Sequence, residues 1–288
     1  MRQLGNGQSA AMKIHELASE TVEVDKSKIR YYGPEAFEGM RAAGRLCAEA
    51  LDMLVDYTKP GVTTERLDEL MFQFALDHKA YPATLNYRGY RYSICTSINH
   101  VVCHGAPGPK PLREGDIVNI DGTLILNGWH GDSSRMYAVG EINRKAERLI
   151  QVTYEALQRG VAAVKPGHTT GHIGQAIQKY VEAERFSVVR DFCGHGVGDL
   201  FHSPPNILHY GKNGEGIELK PGMIFTIEPM VNAGKAGTKI LNDGWTAVTR
   251  DKSLSAQFEH TIGVTSTGVE VFTYSPKGLN CPPYPSAA

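Results

Sequence analysis

The chain has 288 residues, enough for one large domain or two modest ones, and its 41% hydrophobic and 21% charged residues are ordinary for a globular protein. Its 30 Lys and Arg balance 31 Asp and Glu, and no basic block stands out, which argues against nucleic acid or an anionic membrane as a partner. No apolar run reaches membrane-spanning length, the acidic N-terminal stretch (Glu16, Glu20, Glu23, Asp25) is unlike a leader peptide, and the odd set Cys47, Cys95, Cys103, Cys193 and Cys281 reads as reduced thiols, so a cytoplasmic protein is expected.

Residues 1–33 show no sustained periodicity and are expected to be a surface arm. Met12 is a candidate alternative start. From Pro34, Met40, Ala43, Cys47, Ala50, Leu51 and Leu54 recur at helical spacing, and Lys59-Pro-Gly61 ends the run. Thr63-Thr64 can cap a second helix with the stripe Leu67, Leu70, Met71 and Phe74. Residues 81–103 read as strands and turns. Residues 116–121 and 123–126 read as two strands joined at Gly122. Residues 144–164 form a predicted helix ending at Lys165-Pro-Gly167, and Thr169-Thr170 cap another bearing Ile173, Ala176, Ile177 and Tyr180. A tail, residues 275–288, has four prolines and is expected to run over the surface.

The order Lys-Pro-Gly, Thr-Thr and apolar stripe occurs twice, 106 residues apart. Leu112-Arg-Glu-Gly-Asp-Ile-Val-Asn-Ile-Asp121 likewise matches Leu219-Lys-Pro-Gly-Met-Ile-Phe-Thr-Ile-Glu228 at a shift of 107. An internal duplication follows, with halves of about 34–140 and 141–274 inside one domain, 34–274. Asp121 and Glu228 are then equivalent, and a pseudo-twofold would face them across the join.

Asp121, Asp132, His195, Glu228 and Glu259 each end or interrupt a short apolar run. A carboxylate is costly to bury unless something positive meets it. Four carboxylates, one imidazole and no thiolate suit hard-to-borderline divalent ions such as Fe, Mn, Co or Zn. One ion seldom needs four carboxylates, so two ions are expected, lowering the pKa of a water and polarising a carbonyl. That pairing suits hydrolysis at a peptide N-terminus. His104 and His202 are candidates to donate to an oxyanion or a substrate amide. The remaining histidines, His209 and His260 among them, are read as structural. The glycines of Gly194-His-Gly-Val-Gly198 lack phosphate-loop spacing and read as allowing close backbone approach.

The stretches Cys103-His-Gly-Ala-Pro107, Val118-Asn-Ile-Asp121, His130-Gly-Asp-Ser133, Gly194-His-Gly-Val-Gly198, Phe201-His202, Thr226-Ile-Glu-Pro-Met230 and Gln257-Phe-Glu-His-Thr261 resemble, in order and spacing, the short type I methionine aminopeptidases. The resemblance spans roughly residues 34–273. It implies the pita-bread fold, an α/β (α+β) domain of two pseudo-symmetric halves with a curved antiparallel sheet flanked by helices. It also implies removal of initiator methionine from nascent chains with a small second residue, in the cytoplasm, by a monomer that works on nascent N-termini at the ribosome. By the same resemblance Asp121 chelates one ion, Asp132 and Glu259 bridge two, and His195 and Glu228 complete the other. His104 and His202 contact substrate, and Glu228 is the candidate proton shuttle. Tyr87, Tyr90, Cys95, Phe201 and Trp245 would hold the methionine side chain, and Asn99, Val101 and Ser255 a monovalent cation. Thr84 and Asn86 depart from the family pattern at the pocket entrance. The alternatives are a proline-directed peptidase of the same fold, which usually has a further N-terminal domain, and a non-catalytic peptide-binding module.

Overall fold

The computed structural model describes residues 22–284. Four long helices and a curled antiparallel sheet organise them. Helix α1 (Pro34–Val55) begins with its proline where a missing N–H costs nothing. Its stripe Met40, Ala43, Cys47, Ala50, Leu51 and Leu54 is fully buried. Thr63 caps α2 (Thr64–Asp77), its Oγ1 accepting the Arg66 N–H at 3.1 Å. Asn143 caps α3 (Arg144–Ala162) through Oδ1. Thr169 and His172 cap α4 (Thr170–Ala183) reciprocally.

The sheet runs β10 (Ser203–Ile207), β9 (Gly194–Gly196), β11 (Ile224–Ile227), β16 (Glu259–Val264), β7 (Trp129–Ala138), β6 (Ile117–Leu126) and β3 (Tyr81–Pro82), with β4 (Ile94–Ile98) also pairing β6. One apolar cluster joins α1 and α2 to β4 and β6 through Leu51, Leu67, Met71, Ile94 and Ile120. A second joins α3 and α4 to β11 and β16 through Leu157, Ile177, Phe225 and Ile262. The duplication read from the sequence recurs in the bonding. Thr63 bridges Pro111, and Thr169 bridges Glu218. Gly61 N–H donates to Leu112 O at 2.9 Å, and Gly167 N–H to Leu219 O at 3.0 Å.

Three expectations need correction. First, β6 runs unbroken through Gly122, which pairs with Ile94 and Ser133. The chain reverses instead at Asn127 (φ 50) and Gly128 (φ 87), the left-handed pair a two-residue hairpin needs. Second, residues 1–21 of the expected arm lie outside the described residues, but 22–32 form a hairpin of β1 (Val22–Val24) and β2 (Arg30–Tyr32). Arg30 pairs with Asp199, and the Tyr32 hydroxyl donates to the same carboxylate at 2.7 Å. The hairpin thus fastens the loop that carries Phe201 and His202. Third, the tail is bolted down rather than merely draped. Buried Arg135 pairs with buried Asp52 and donates to Leu279 O at 2.8 Å, and Ser275 Oγ donates to Asp52 at 2.9 Å. Tyr284 donates to Met136 O at 2.9 Å. A paired charge in the core needs all of its hydrogen bonds, and the tail supplies two of them. Residues 285–288 lie outside the described residues.

Candidate active site

The strand register places all five predicted donors on one face of the sheet. Asp121 pairs with Ser134, and Ser134 with Glu259. Glu228 follows Ile227, which pairs with His260, so it extends that row. In the next row Thr123 pairs with Asp132, and Thr226 with Thr261. Phe225 opposes Gly196, which puts His195 beside Thr226; its N–H donates to Thr226 Oγ1 at 3.0 Å. Residues directly across an antiparallel ladder share a face, as do residues two apart along a strand. A Cβ at Gly194 would collide with the Thr226 carbonyl, so only glycine lets β9 come this close to β11.

Neighbouring side chains orient the donors. Thr123 donates to Asp132 Oδ1 at 2.6 Å. Glu228 receives the Thr226 hydroxyl at 2.8 Å and Gln257 Nε2 at 3.3 Å. His195 Nδ1 is 3.2 Å from Gly196 O, and its Nε2 lies 3.6 Å from both Asp132 Oδ2 and Glu228 Oε1. An Nδ1–H held by a carbonyl leaves the Nε2 lone pair facing the carboxylates. Donor atoms of Asp132, His195 and Glu259 lie within 4.8 Å of one another.

The electrostatics make the same point. Burial pushes Asp121 up to about 7. Asp132, Glu228 and Glu259 are driven well above the usual carboxylate range by burial and by each other's charge. Burial pushes His195 down to about 4, so its lone pair is free at neutral pH. Among the described residues no Lys or Arg forms an ion pair with these four carboxylates. A divalent cation among them would lift the penalty, and the oxygen-rich donor set with one neutral imidazole fits such an ion.

The donors floor a cleft of about 510 Å³ whose walls include Tyr87, Tyr90, Cys95, His104, Phe201, His202 and Trp245. Every residue expected for substrate therefore meets the donors in one cavity. The Tyr90 hydroxyl is 3.0 Å from Ile94 O and 3.2 Å from Gly105 O, so the ring rather than the oxygen is left to face the cavity. It meets Trp245 edge-on at 5.1 Å. His202 lies between Tyr87, on which it stacks at 5.1 Å, and His195, which it meets at a tilt at 4.1 Å. His104 holds a left-handed backbone (φ 55), and burial lowers its pKa. Asn99, Val101 and Ser255 do not line this cavity. Asn99 O accepts the Ser255 N–H at 2.8 Å, Ser255 Oγ donates to Asn232 Oδ1 at 2.8 Å, and Val101 pairs with Val248.

Sequence reasoning missed several neighbours. Arg88, Asp191, Phe192, Cys193 and Met230 also line the cleft. His209, read as structural, accepts the Glu228 N–H on Nε2 at 3.0 Å while fully buried. A signal existed for Thr123 and Thr226, each two residues from a donor along the same strand direction, and for Met230 only its closeness in sequence to Glu228. None existed for His209, which lies 19 residues from its partner.

The description of metallopeptidase family M24 matches residues 38–266. Methionine aminopeptidase of Rickettsia prowazekii (strain Madrid E) is 59% identical over 257 residues, covering 89% of this chain and 99% of the relative. The chain belongs to metallopeptidase family M24, among the methionine aminopeptidases. Within it, the methionine aminopeptidase of Escherichia coli (strain K12) is 53% identical over 83% of this chain and 92% of its own length. The crystal structure of the Rickettsia prowazekii enzyme superposes with a TM-score of 0.84 at 58% identity, covering 85% of this chain and 99% of that one. The M24 pita-bread fold is thus the fold of this chain, and the proline-directed alternative is the less supported one.

Proposed function

We propose that this chain removes the initiator methionine from new proteins whose second residue is small, as a metal-dependent aminopeptidase. The observation that carries the reading is four carboxylates and one neutral imidazole aligned on one sheet face beneath an apolar cleft. Asp121, Asp132 and Glu259 would hold one divalent ion, and Asp132, Glu259, His195 and Glu228 a second. Such ions supply Lewis acidity to a carbonyl oxygen and lower the pKa of a water.

The chain's own groups do the rest. Tyr87, Tyr90, Cys95, Phe201 and Trp245 take the methionine side chain, since rings and a thiol suit a flexible thioether. The Tyr90 hydroxyl is already within hydrogen-bond reach of Ile94 O and Gly105 O, so its ring offers an apolar face rather than a partner for a charged side chain. His104 and His202, neutral at working pH because burial lowers both, each offer an N–H to the scissile amide or to the oxyanion as it develops. Glu228 carries a proton from the attacking water to the leaving amine. Its Oε1 is anchored by Thr226 and its Oε2 by Gln257, so the carboxylate is held in one orientation. Asn99 and Val101 carbonyls with Ser255 would hold a monovalent cation outside the cleft. The protein acts as a monomer in the cytoplasm on nascent N-termini at the ribosome. Among the described residues no helix is long and apolar enough to cross a membrane.

The test is release of Met from Met-Ala-Ser by metal-stripped protein titrated with Fe(II), Mn(II), Co(II) and Zn(II). Metal-dependent release with little action on Ala-Pro peptides is expected. Preferential cleavage of Ala-Pro would favour the proline-directed reading, and no release with any ion would leave a binding module.

A further inference from the structure

Asn86 (φ 68), Arg88 (φ 47, ψ 31) and Gly89 (φ 89) give the turn at the cleft rim three left-handed residues, two of them with a side chain. Such backbone is strained for a residue with a Cβ and persists only where its surroundings impose it. Here Asn86 N–H donates to Tyr90 O at 2.7 Å, Tyr87 N–H to Thr84 O at 3.0 Å and Tyr90 N–H to Tyr87 O at 2.9 Å. The result is to hold exposed Arg88 on the cleft wall with its guanidinium over the Tyr87 ring, Cζ 5.2 Å from the centroid. Tyr87 stacks on His202, and His202 packs at a tilt against His195, so a run of ring contacts leads from His195 to the rim and ends in a cation. Arg88 forms no ion pair among the described residues. The other charge on the wall besides the donors, Asp191, already accepts the Thr238 hydroxyl at 2.6 Å.

We propose that Arg88 is a specificity residue that takes a carboxylate two to three residues beyond the scissile bond. The inference rests on the aminopeptidase reading above. An extended peptide advances about 3.3–3.6 Å per residue. Two ring contacts of 5.1 and 5.2 Å separate His202 from the guanidinium, which therefore meets the third or fourth residue of the substrate. Guanidinium is the donor best shaped for a carboxylate, and the ring beneath pre-orients it. The carboxylate can be an acidic side chain or the C-terminus of a short peptide.

The experiment uses the metal-loaded full chain and the amidated peptides Met-Ala-Ser-Ser, Met-Ala-Asp-Ser and Met-Ala-Lys-Ser, with Met-Ala-Ser as free acid and as amide. KM for the Asp peptide should be about threefold to fivefold below that for the Lys peptide, the scale of an exposed ion pair. The difference should fall in KM rather than kcat, because the contact is the same in ground and transition states. Arg88→Asn, chosen because Asn tolerates left-handed backbone, should bring the ratio to about one, and Arg88→Glu should invert it. A preference for the free acid over the amide, lost in Arg88→Asn, would assign the terminal carboxylate as a source; an Asp-over-Lys preference alone would assign the side chain. A wild-type ratio of one in both comparisons, or a preference that survives Arg88→Asn and Arg88→Glu, overturns the proposal. Failure of wild type to cleave Met-Ala-Ser-Ser with any divalent ion would instead overturn the aminopeptidase reading.

Discussion

The donors and the cleft wall are built in opposite ways. Each donor stands on a strand of the central sheet or one residue beyond it, at a register fixed by ladder hydrogen bonds. The wall is largely loop and turn: Tyr87 and Arg88 sit on a strained turn, Phe201 and His202 on a loop fastened by Asp199, and Trp245 beside a hairpin. Charge that must be held to within a fraction of an ångström is placed on rigid elements, while shape that meets variable peptides is placed on adjustable ones. Several substitutions would break or sharpen this contrast.

The largest effect is expected at the donors. His195→Ala should cut kcat/KM about 100-fold or more, because loss of a ligand exceeds the effect of losing a supporting group. Its circular dichroism should stay native, since the ring lies at the sheet surface and not in either apolar cluster. Turnover near wild type in metal-replete buffer would remove His195 from the set. Thr226→Val removes the hydroxyl that anchors Glu228 and receives the His195 N–H. A loss of about 10- to 100-fold in metal affinity or activity is expected, read by titrating the apo protein. An unchanged titration would show that the strands alone orient Glu228.

Metal binding should also depend on pH with a definite sign. Asp121 has a folded pKa of about 7 against an ordinary 3.8, so its contribution to apo stability is present below about pH 4 and is lost as pH rises through 7. A bound cation cancels that loss, and below neutrality protons compete for the same oxygens and for His195. The rise in Tm on adding Mn(II) should therefore be larger at pH 7.5 than at pH 5.5. A constant increment would argue that the ion binds elsewhere.

At the wall the effects should be smaller and should fall on binding. Trp245→Ala removes a ring in contact with Tyr90 and His104. KM for Met peptides should rise about 10-fold, in line with roughly 1.5–3 kcal/mol for a large apolar contact, with kcat less affected. An unchanged KM would take Trp245 out of the pocket. Tyr32→Phe deletes one of two bonds to Asp199 and should cost about 1 kcal/mol, a Tm shift of roughly 2–4 °C. If KM also rises, the hairpin is holding the His202 loop in place as well as adding stability.

The sequence by itself determined the helices, the duplicated segments and the five polar residues that the sheet brings together. Apolar stripes such as Leu67 and Met71 follow the helical period, and a carboxylate closing an apolar strand must meet a cation, so these signals are local and chemical. Gly122 was misread because a glycine in a strand and a glycine in a turn look alike without the pairing partner. Only the tertiary structure decided that residues 22–32 clamp Asp199, that the tail gives Arg135 an acceptor in Leu279 O, and that His209 props Glu228. Each of these joins residues far apart in the chain, and no periodicity encodes such a contact. It exists because a buried polar group must find its partner wherever the folded chain brings one within reach.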